Sequence, residues 1–183
     1  STIPHQPDAP MFDAKAWGLT DKERDLAAIA REIGQDKIAA RAAQYDRDAA
    51  FPVENYRDMF AAGLMGICIP EKYGGHGVRL RSYAIVAAEI GRYCGSTALT
   101  WNMHVCSCLW SGALMDDLEM EEADRRRHEA NRAVHYRRIL DARAIYAQPF
   151  SEGGAAAAGA VAFGTTALKV DGGWIVNGKK IFA

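Results

Sequence analysis

Residues 63–78 read GLMGICIPEKYGGHGV and break an otherwise helical pattern of apolar residues. The stretch has no helical period, and its apolar run, its proline and its glycines are typical of a compact loop. Glycine supplies backbone angles that other residues avoid, so the chain can turn sharply here. We therefore expect a compact loop with helices on both sides of it.

Two helices are predicted upstream of this loop. Residues 20–23 read Thr-Asp-Lys-Glu, a capping box in which the threonine hydroxyl and the glutamate carboxylate each bond an N–H group at a helix start. Apolar residues then recur every three or four positions and predict one amphipathic helix over 21–48. Pro52 fits the first turn of a second helix over 53–62, which Gly63 can close.

Three helices are predicted downstream, over 82–93, 97–115 and 119–141, with Ser82 and Ser96 as the caps of the first two. The second of these helices is apolar nearly all round, which favours a central buried helix. Its residues expected in the core are Leu99, Met103, Cys106, Leu109 and Trp110.

The last predicted helix is densely charged, with both signs mixed. Arg125, Arg126 and Arg127 follow an acidic cluster in it. We interpret this pattern as a solvated face with ion pairs. A phosphate-binding arginine cluster is the alternative.

The pattern changes class near residue 144. Residues 144–147 read as a short strand, and 165–183, TTALKVDGGWIVNGKKIFA, contain three β-type runs separated by glycine turns. Asn177-Gly178 between β-formers predicts a hairpin, because a type I′ turn needs positive φ at both central residues. The predicted fold class is therefore α+β, an N-terminal all-α domain followed by the first strands of an antiparallel β-domain.

The predicted organisation has three parts, an irregular arm over 1–19, a helical domain over 20–143 and the opening of a β-domain over 144–183. The last run reaches Ala183 as a strand without a partner, and an isolated hairpin is marginal in water. We therefore expect a truncated chain whose partner strands lie beyond residue 183.

Composition narrows the classes of function. The 183 residues are 49% apolar and 25% charged, with a formal net charge of −1, which suits a soluble globular protein and argues against nucleic acid or an anionic membrane as a partner. The sequence has neither a signal-peptide pattern nor an apolar run of membrane-spanning length, so we expect a cytoplasmic protein. Its four cysteines lack the paired spacing of metal ligands and predict reduced, buried thiols and no metal site.

Four segments in this order resemble the acyl-CoA dehydrogenase superfamily. They are FPVENYRDMFAAGLMGICIPEKYGG at 51–75, STALTWNMH at 96–104, YAQPFSEGG at 146–154 and DGGWIVNGKKIF at 171–182. The first contains a stretch similar to the family's G-L-x-G-[IV]-x-x-P-E-x-Y-G-G signature, and the last is similar to its strand hairpin. The resemblance covers roughly residues 20–183.

The resemblance implies a helical domain, a β-domain and a C-terminal four-helix bundle, with FAD between the last two. It also implies α,β-dehydrogenation of an acyl-CoA thioester with hydride transfer to flavin, in a homo-oligomer (tetramer or dimer), with an electron-transfer flavoprotein as a candidate partner. We expect the bundle to be absent from this chain and the catalytic base to lie beyond residue 183.

The segment 147–154 lies where the family has T-E-P-x-A-G-S-D, a loop that touches flavin, pyrophosphate and thioester. The flavin contacts that the resemblance implies are Tyr146, Ala147, Gln148, Ser151, Gly153, Gly154 and Phe182. The implied substrate contacts are Ser151, Gly153 and His104. Ala147 stands for the family's threonine and Gly153 for its serine, so Ser151 or main-chain groups have to replace two side chains.

Other interpretations of these positions stay open at this point. The 147–154 segment can be a Gly- and Ala-rich linker, and Phe182 a core strand residue. His104 in an apolar helix is more often a hydrogen-bonded core residue, although flavin monooxygenases of this fold use a pocket histidine near the flavin, where an imidazole can steer a proton.

Three functions follow from these observations. The leading one is the N-terminal portion of an FAD-dependent acyl-CoA dehydrogenase, inactive as a fragment. The second is a flavin-dependent monooxygenase of the same fold, which receives reduced flavin from a separate reductase. The third is a non-enzymatic helical interaction module whose β-tail pairs with a partner.

Overall fold

A computed structural model describes residues 10–153 and 162–181. The chain divides into two compact units, one up to Tyr146 and one from Ala147 onward. Helices form the first unit and an antiparallel strand pair forms the second, which confirms the predicted α+β class. The elements are α1 (Asp21–Ile33), α2 (Ala39–Asp48), α3 (Val53–Ala61), α4 (Leu80–Gly91), α5 (Gly95–Leu109), α6 (Glu122–Leu140), β1 (Thr166–Val170) and β2 (Gly173–Asn177).

The capping box at the start of α1 is confirmed. The Thr20 hydroxyl accepts from the Glu23 N–H at 3.2 Å, and the Glu23 carboxylate accepts from the Thr20 N–H at 2.9 Å. The predicted helix over 21–48 is α1 and α2 joined by a wider π-helical turn over Gly34–Ile38. A Cβ on Gly34 would collide with the ring of Tyr93, so the absence of a side chain lets that ring pack against this turn.

The segment after α3 forms the centre of the core. Short 3₁₀ turns at Leu64–Gly66 and Glu71–Tyr73 confirm the compact loop predicted for this stretch. Gly63 and Gly74 adopt φ of 75° and 95°, the left-handed region that glycine tolerates best. The residues of this loop that are buried to 1% exposure or less are Leu64, Met65, Ile67, Cys68 and Ile69.

The starts of α4 and α5 differ from the predicted ones. Helix α4 begins at Leu80, and the Ser82 hydroxyl donates to the Glu23 carboxylate at 3.1 Å instead of capping the helix. Helix α5 begins at Gly95, where the Cys94 sulfur accepts from the Thr97 N–H at 3.4 Å. The Cys94 thiol therefore takes the capping role that was predicted for the hydroxyl of Ser96, two residues later.

The expectation that α5 is buried all round is wrong for part of its surface. Leu109 is only 4% exposed and matches the prediction, whereas Leu99 is 62% and Trp110 54% exposed. Met103 and Cys106 are half-buried. The reason is that α5 packs one face into the core, and the described residues leave the opposite face uncovered.

The strands differ from prediction in two places. Residues 144–147 form no strand, and 178–181 do not continue the sheet after β2. Of the two glycine turns that separate the predicted β-type runs, the one at Asp171-Gly172 is confirmed, with Val170 paired to Gly173. The hairpin predicted at Asn177-Gly178 is not formed by the described residues. Gly172 has φ of 78°, whereas Asp171 is not among the residues with positive φ, so this turn is not the type I′ form, which needs positive φ at both central residues.

Helix α6 carries the expected ion pairs. Arg126 pairs with Glu122, and Arg127 with Asp124 at 2.9 Å. Arg125 donates to the Met115 carbonyl at 2.8 Å and so closes the preceding turn. These partners support the solvated, ion-paired face and leave the phosphate-binding alternative without support.

Arg132 of α6 is buried, and its side chain bonds the backbone next to a kink that follows α5. Its guanidinium donates to the Ser111 carbonyl at 2.9 Å and pairs with Asp116 at 2.7 Å. His128 meets the same Ser111 carbonyl at 3.0 Å. The kink is at the neighbouring Gly112, which has non-helical φ and ψ of −97° and −108°. Two side chains of α6 therefore bond the carbonyl of the residue that precedes this kink.

The cysteines are all free thiols. Cys68 and Cys108 are buried, as expected, and burial raises the pKa of both thiols, so they stay protonated. Cys94 and Cys106 are half-buried. Among the described residues, no helix is both long and apolar enough to span a membrane.

Candidate functional site

The predicted flavin loop is anchored by one carboxylate, that of Glu152. It accepts from the Gly164 N–H at 2.7 Å and the Thr165 N–H at 3.0 Å, and the Thr165 hydroxyl also donates to it. The Lys180 ammonium lies 2.8 Å away. Lys180 and these donors hold the pKa of Glu152 well below its usual range, at about 2. Glu152 therefore stays ionised and ties the loop to both ends of the hairpin.

The rest of the loop is open to solvent. Ala147 and Gly153 are exposed, Gln148 and Ser151 are half-buried, and Phe150 is 70% exposed. The Ser151 carbonyl accepts from the Ile181 N–H at 2.9 Å. Its hydroxyl has no partner among the described residues. The loop thus presents a hydroxyl and main-chain groups from a fixed backbone.

In the helical unit, the structure brings His104 and Tyr146 together. The Tyr146 N–H donates to His104 Nδ1 at 3.0 Å, and His104 Nε2 lies 3.0 Å from the Met65 carbonyl. His104 is fully buried at 0% exposure. Burial lowers the pKa of His104, so the neutral ring is favoured.

Tyr146 also has a side-chain partner. Its hydroxyl lies 2.7 Å from Nδ1 of the exposed His135 on α6. The ring borders a cleft of about 140 Å³ in the helical unit. The residues lining this cleft are Ser107, Cys108, Ser111, His135, Tyr136, Ile139 and Tyr146. A small molecule in this cleft would therefore contact Tyr146. It would not contact His104, which is not one of the lining residues.

Two predicted flavin contacts, Gly154 and Phe182, lie outside the described residues. The structure places the remaining predicted site residues in one continuous segment from Tyr146 to Gly153, with His104 against its first residue. For His104, the geometry favours the hydrogen-bonded core residue that the sequence left open, because both ring nitrogens have main-chain partners.

Sequence reasoning missed the residues that hold this segment. The sequence predicted no role for Glu152, yet its carboxylate holds the loop in place through Gly164, Thr165 and Lys180. His135 lay in a charged helix with no pattern to single it out. The signal for Glu152 in the sequence was a carboxylate followed by two glycines, which is too weak to assign a partner without the fold.

The comparison with known families identifies the chain. The family described as "Acyl-CoA dehydrogenase, N-terminal domain" matches residues 20–114, just over half of the chain. The chain therefore belongs to the acyl-CoA dehydrogenase family, as its motifs indicated.

Curated relatives agree with this assignment, and a solved structure has the same fold. The chain is 36% identical over 83 residues to a probable acyl-CoA dehydrogenase, YngJ, of Bacillus subtilis, covering 45% of this chain and 22% of that protein. It is 30% identical over 164 residues to the mitochondrial isovaleryl-CoA dehydrogenase of Arabidopsis thaliana, covering 88% and 37%. The nitrososynthase of Micromonospora carbonacea var. africana has the same fold, with a TM-score of 0.69 at 24% identity over 89% of this chain and 38% of that one. The chain thus spans well under half the length of these relatives.

Proposed function

We propose that this chain is the N-terminal portion of an FAD-dependent acyl-CoA dehydrogenase that oxidises an acyl-CoA thioester between its α- and β-carbons. The observation that carries the proposal is the family match over residues 20–114. The names of the curated relatives support the substrate class, since both the Bacillus and the Arabidopsis protein are named for a CoA thioester.

The segment from Tyr146 to Gly153 fits one wall of a flavin site in three respects. Apart from its chain neighbours, no described residue has an atom within 4 Å of the place that a Cβ on Gly153 would take, so these residues leave room for a ligand to approach its main chain closely. The Ser151 hydroxyl is available for a hydrogen bond. Glu152 fixes the backbone between them through Gly164, Thr165 and Lys180.

The proposed roles follow from these positions. FAD, when bound, supplies the hydride acceptor. Main-chain N–H groups of the segment that follow Tyr146 donate hydrogen bonds to it, and Ser151 takes the place of the hydroxyls that Ala147 and Gly153 lack. The proposal also includes Gly154 and Phe182 as flavin contacts, Ser151 and Gly153 at the thioester, a homo-oligomeric assembly and an electron-transfer flavoprotein as electron acceptor.

A flavin-dependent monooxygenase of the same fold is the second candidate. The observation that favours it is the altered loop, in which Ala147 and Gly153 replace two side chains that the dehydrogenase family uses. Such an enzyme takes reduced flavin from a reductase and needs oxygen. It would show no loss of flavin absorbance with acyl-CoA alone.

The test is an anaerobic titration of the complete gene product with short, branched and long acyl-CoA thioesters, followed by visible flavin absorbance. Bleaching by an acyl-CoA supports the dehydrogenase. Substrate turnover only with oxygen and a reductase supports the monooxygenase, and a protein that carries no flavin contradicts both.

A pair of serine variants tests whether Ser151 contacts the flavin. Ser151→Ala should weaken flavin binding, because the proposed hydroxyl is lost. Ser96→Ala is the matched control, since Ser96 is an exposed residue in the first turn of α5. Equal flavin affinity in the two variants would contradict the role of Ser151.

A further inference from the structure

We propose that His104 is a positioning residue that holds the main chain of Tyr146 in place for flavin binding. The flavin part of this inference rests on the proposed function, whereas the contact between the two residues rests on the structure alone. His104 acts here through Tyr146 and touches neither flavin nor substrate.

The hydrogen bonds define the tautomer of His104. The Tyr146 N–H is a donor, so Nδ1, at 3.0 Å, has to accept and carries no proton. The Met65 carbonyl is an acceptor, so Nε2, also at 3.0 Å, has to donate. Only the neutral ring with its proton on Nε2 satisfies both partners. A protonated ring would turn a donor toward the Tyr146 N–H.

The second partner of His104, the Met65 carbonyl, lies in the core. Met65 lies in the 3₁₀ turn at Leu64–Gly66 and is 1% exposed, in the centre of the core. The imidazole therefore links the compact loop after α3, which contains Met65, to Tyr146, the last residue of the helical unit. Because the Tyr146 hydroxyl also bonds His135 at 2.7 Å, the tyrosine is held at its main chain and at its tip.

The same geometry argues against a substrate contact by His104. Its ring is fully buried, and both nitrogens already bond main-chain groups. A ligand could reach a ring nitrogen only by displacing one of these bonds. A general acid or base, by contrast, needs a nitrogen within reach of the group that exchanges its proton.

Two substitutions separate the two hydrogen bonds. The shorter side chain of His104→Asn puts an amide oxygen near the position of Nδ1, so it can still accept from Tyr146 while the bond to Met65 is lost. The longer side chain of His104→Gln puts an amide group near the position of Nε2, so it keeps Met65 and loses Tyr146. Each variant leaves one partner unsatisfied, so losses of stability should be similar.

The first measurement is hydrogen exchange of the Tyr146 amide in the complete gene product. We expect His104→Gln to speed this exchange by roughly tenfold or more, and His104→Asn to leave it close to wild type. Thr97→Val is the control, because it removes the buried bond from Asn55, 2.9 Å long, on the same helix without touching Tyr146. Equal exchange in the Asn and Gln variants would overturn the inference.

The second measurement is flavin affinity in the same proteins. We expect His104→Gln to lose affinity by roughly tenfold, with His104→Asn and Thr97→Val near wild type. Equal affinity in all four proteins would overturn the role in flavin binding. If the wild type itself binds no flavin, the proposed function fails, and the exchange experiment still decides whether His104 holds Tyr146.

Discussion

The buried carboxylate of Glu89 on α4 accepts a hydrogen bond from the main-chain N–H of Met11, 78 positions earlier in the chain, at 2.8 Å. Glu89 is 1% exposed and also meets Arg92 at 3.0 Å and Arg31 at 3.7 Å. One carboxylate therefore joins the N-terminal arm, α1 and α4. A buried ionised group is tolerated only with such partners.

Removing the charge of Glu89 should destabilise the helical unit. Glu89→Gln leaves the two arginines without their buried counter-charge, and we expect a loss of about 3 kcal/mol in the free energy of unfolding. Urea denaturation measures this loss. Glu32→Gln is the control, because Glu32 is exposed, and it should stay within about 0.5 kcal/mol of wild type. Similar values for the two variants would contradict the role of Glu89.

Two leucines of α5 should behave oppositely. Leu109→Ala deletes a buried side chain and should cost about 2–5 kcal/mol. Leu99→Ala, on the exposed face of the same helix, should change stability by about 0.5 kcal/mol or less. Chemical denaturation of both variants is the measurement. A large loss for Leu99→Ala would show that its face is covered in solution.

Stability should fall on mild acidification through His104. Burial lowers the pKa of His104 below its ordinary value of 6.5, so the unfolded chain binds a proton near that pH which the folded chain does not. The free energy of unfolding therefore decreases as pH falls below 6.5. The half-buried His76, whose pKa is also lowered by burial, contributes in the same direction.

The measurement is urea denaturation of wild type and His104→Gln at about pH 7 and about pH 5.5, above the range in which most carboxyl groups titrate. The variant should show the smaller decrease, because its amide does not titrate. The same decrease in both proteins would mean that His104 titrates normally in the folded chain.

The hydrogen bonds from Gly164 and Thr165 to the Glu152 carboxylate should weaken when Glu152 is replaced by glutamine or protonated by acid. Glu152→Gln should speed hydrogen exchange at the Gly164 and Thr165 amides, which bond its carboxylate. Since the pKa of Glu152 is lowered from 4.5 to about 2, protection in wild type should persist at pH 4.5 and disappear toward pH 2. Lys169→Gln, on exposed β1, is the control expected to leave both amides unchanged.

The chain over residues 1–183 should bind FAD more weakly than about 1 μM and show no dehydrogenase activity. In the proposed function, the segment from Tyr146 to Gly153 forms one wall of the flavin site, and each hydrogen bond that stays in contact with water gains only about 0.5–1.5 kcal/mol. Association loses several kcal/mol of translational and rotational freedom, and 1 μM needs about −8 kcal/mol. Fluorescence quenching of FAD by the purified chain is the measurement. Stoichiometric submicromolar binding would place the whole site within these residues.

The parts of the fold that sequence predicted well depend on neighbouring residues. The capping box at Thr20 and the compact loop from Gly63 follow from side chains and backbone angles within a few positions. The hairpin shows the limit of such signals, since Asp171-Gly172 and Asn177-Gly178 both favour a two-residue turn. Which of them turns the chain depends on how the flanking strands pair, and the local pattern does not contain that choice.

Burial and side-chain partners were predicted less well for a physical reason. Leu99 and Leu109 are equally apolar, and only the packing of α5 decides which one is covered. The site shows the same limit, because the partners of His104 are main-chain groups of Met65 and Tyr146. Hydrogen bonds to main-chain groups distant along the chain leave no trace in residue type.

The contact between Gly34 and Tyr93 links two positions that are far apart in the chain. The tyrosine ring occupies the volume that a side chain at position 34 would need. A larger residue at position 34 therefore requires a smaller one at position 93, and either change alone creates a clash or a void. The two positions should thus vary together among relatives that keep the wider turn between α1 and α2.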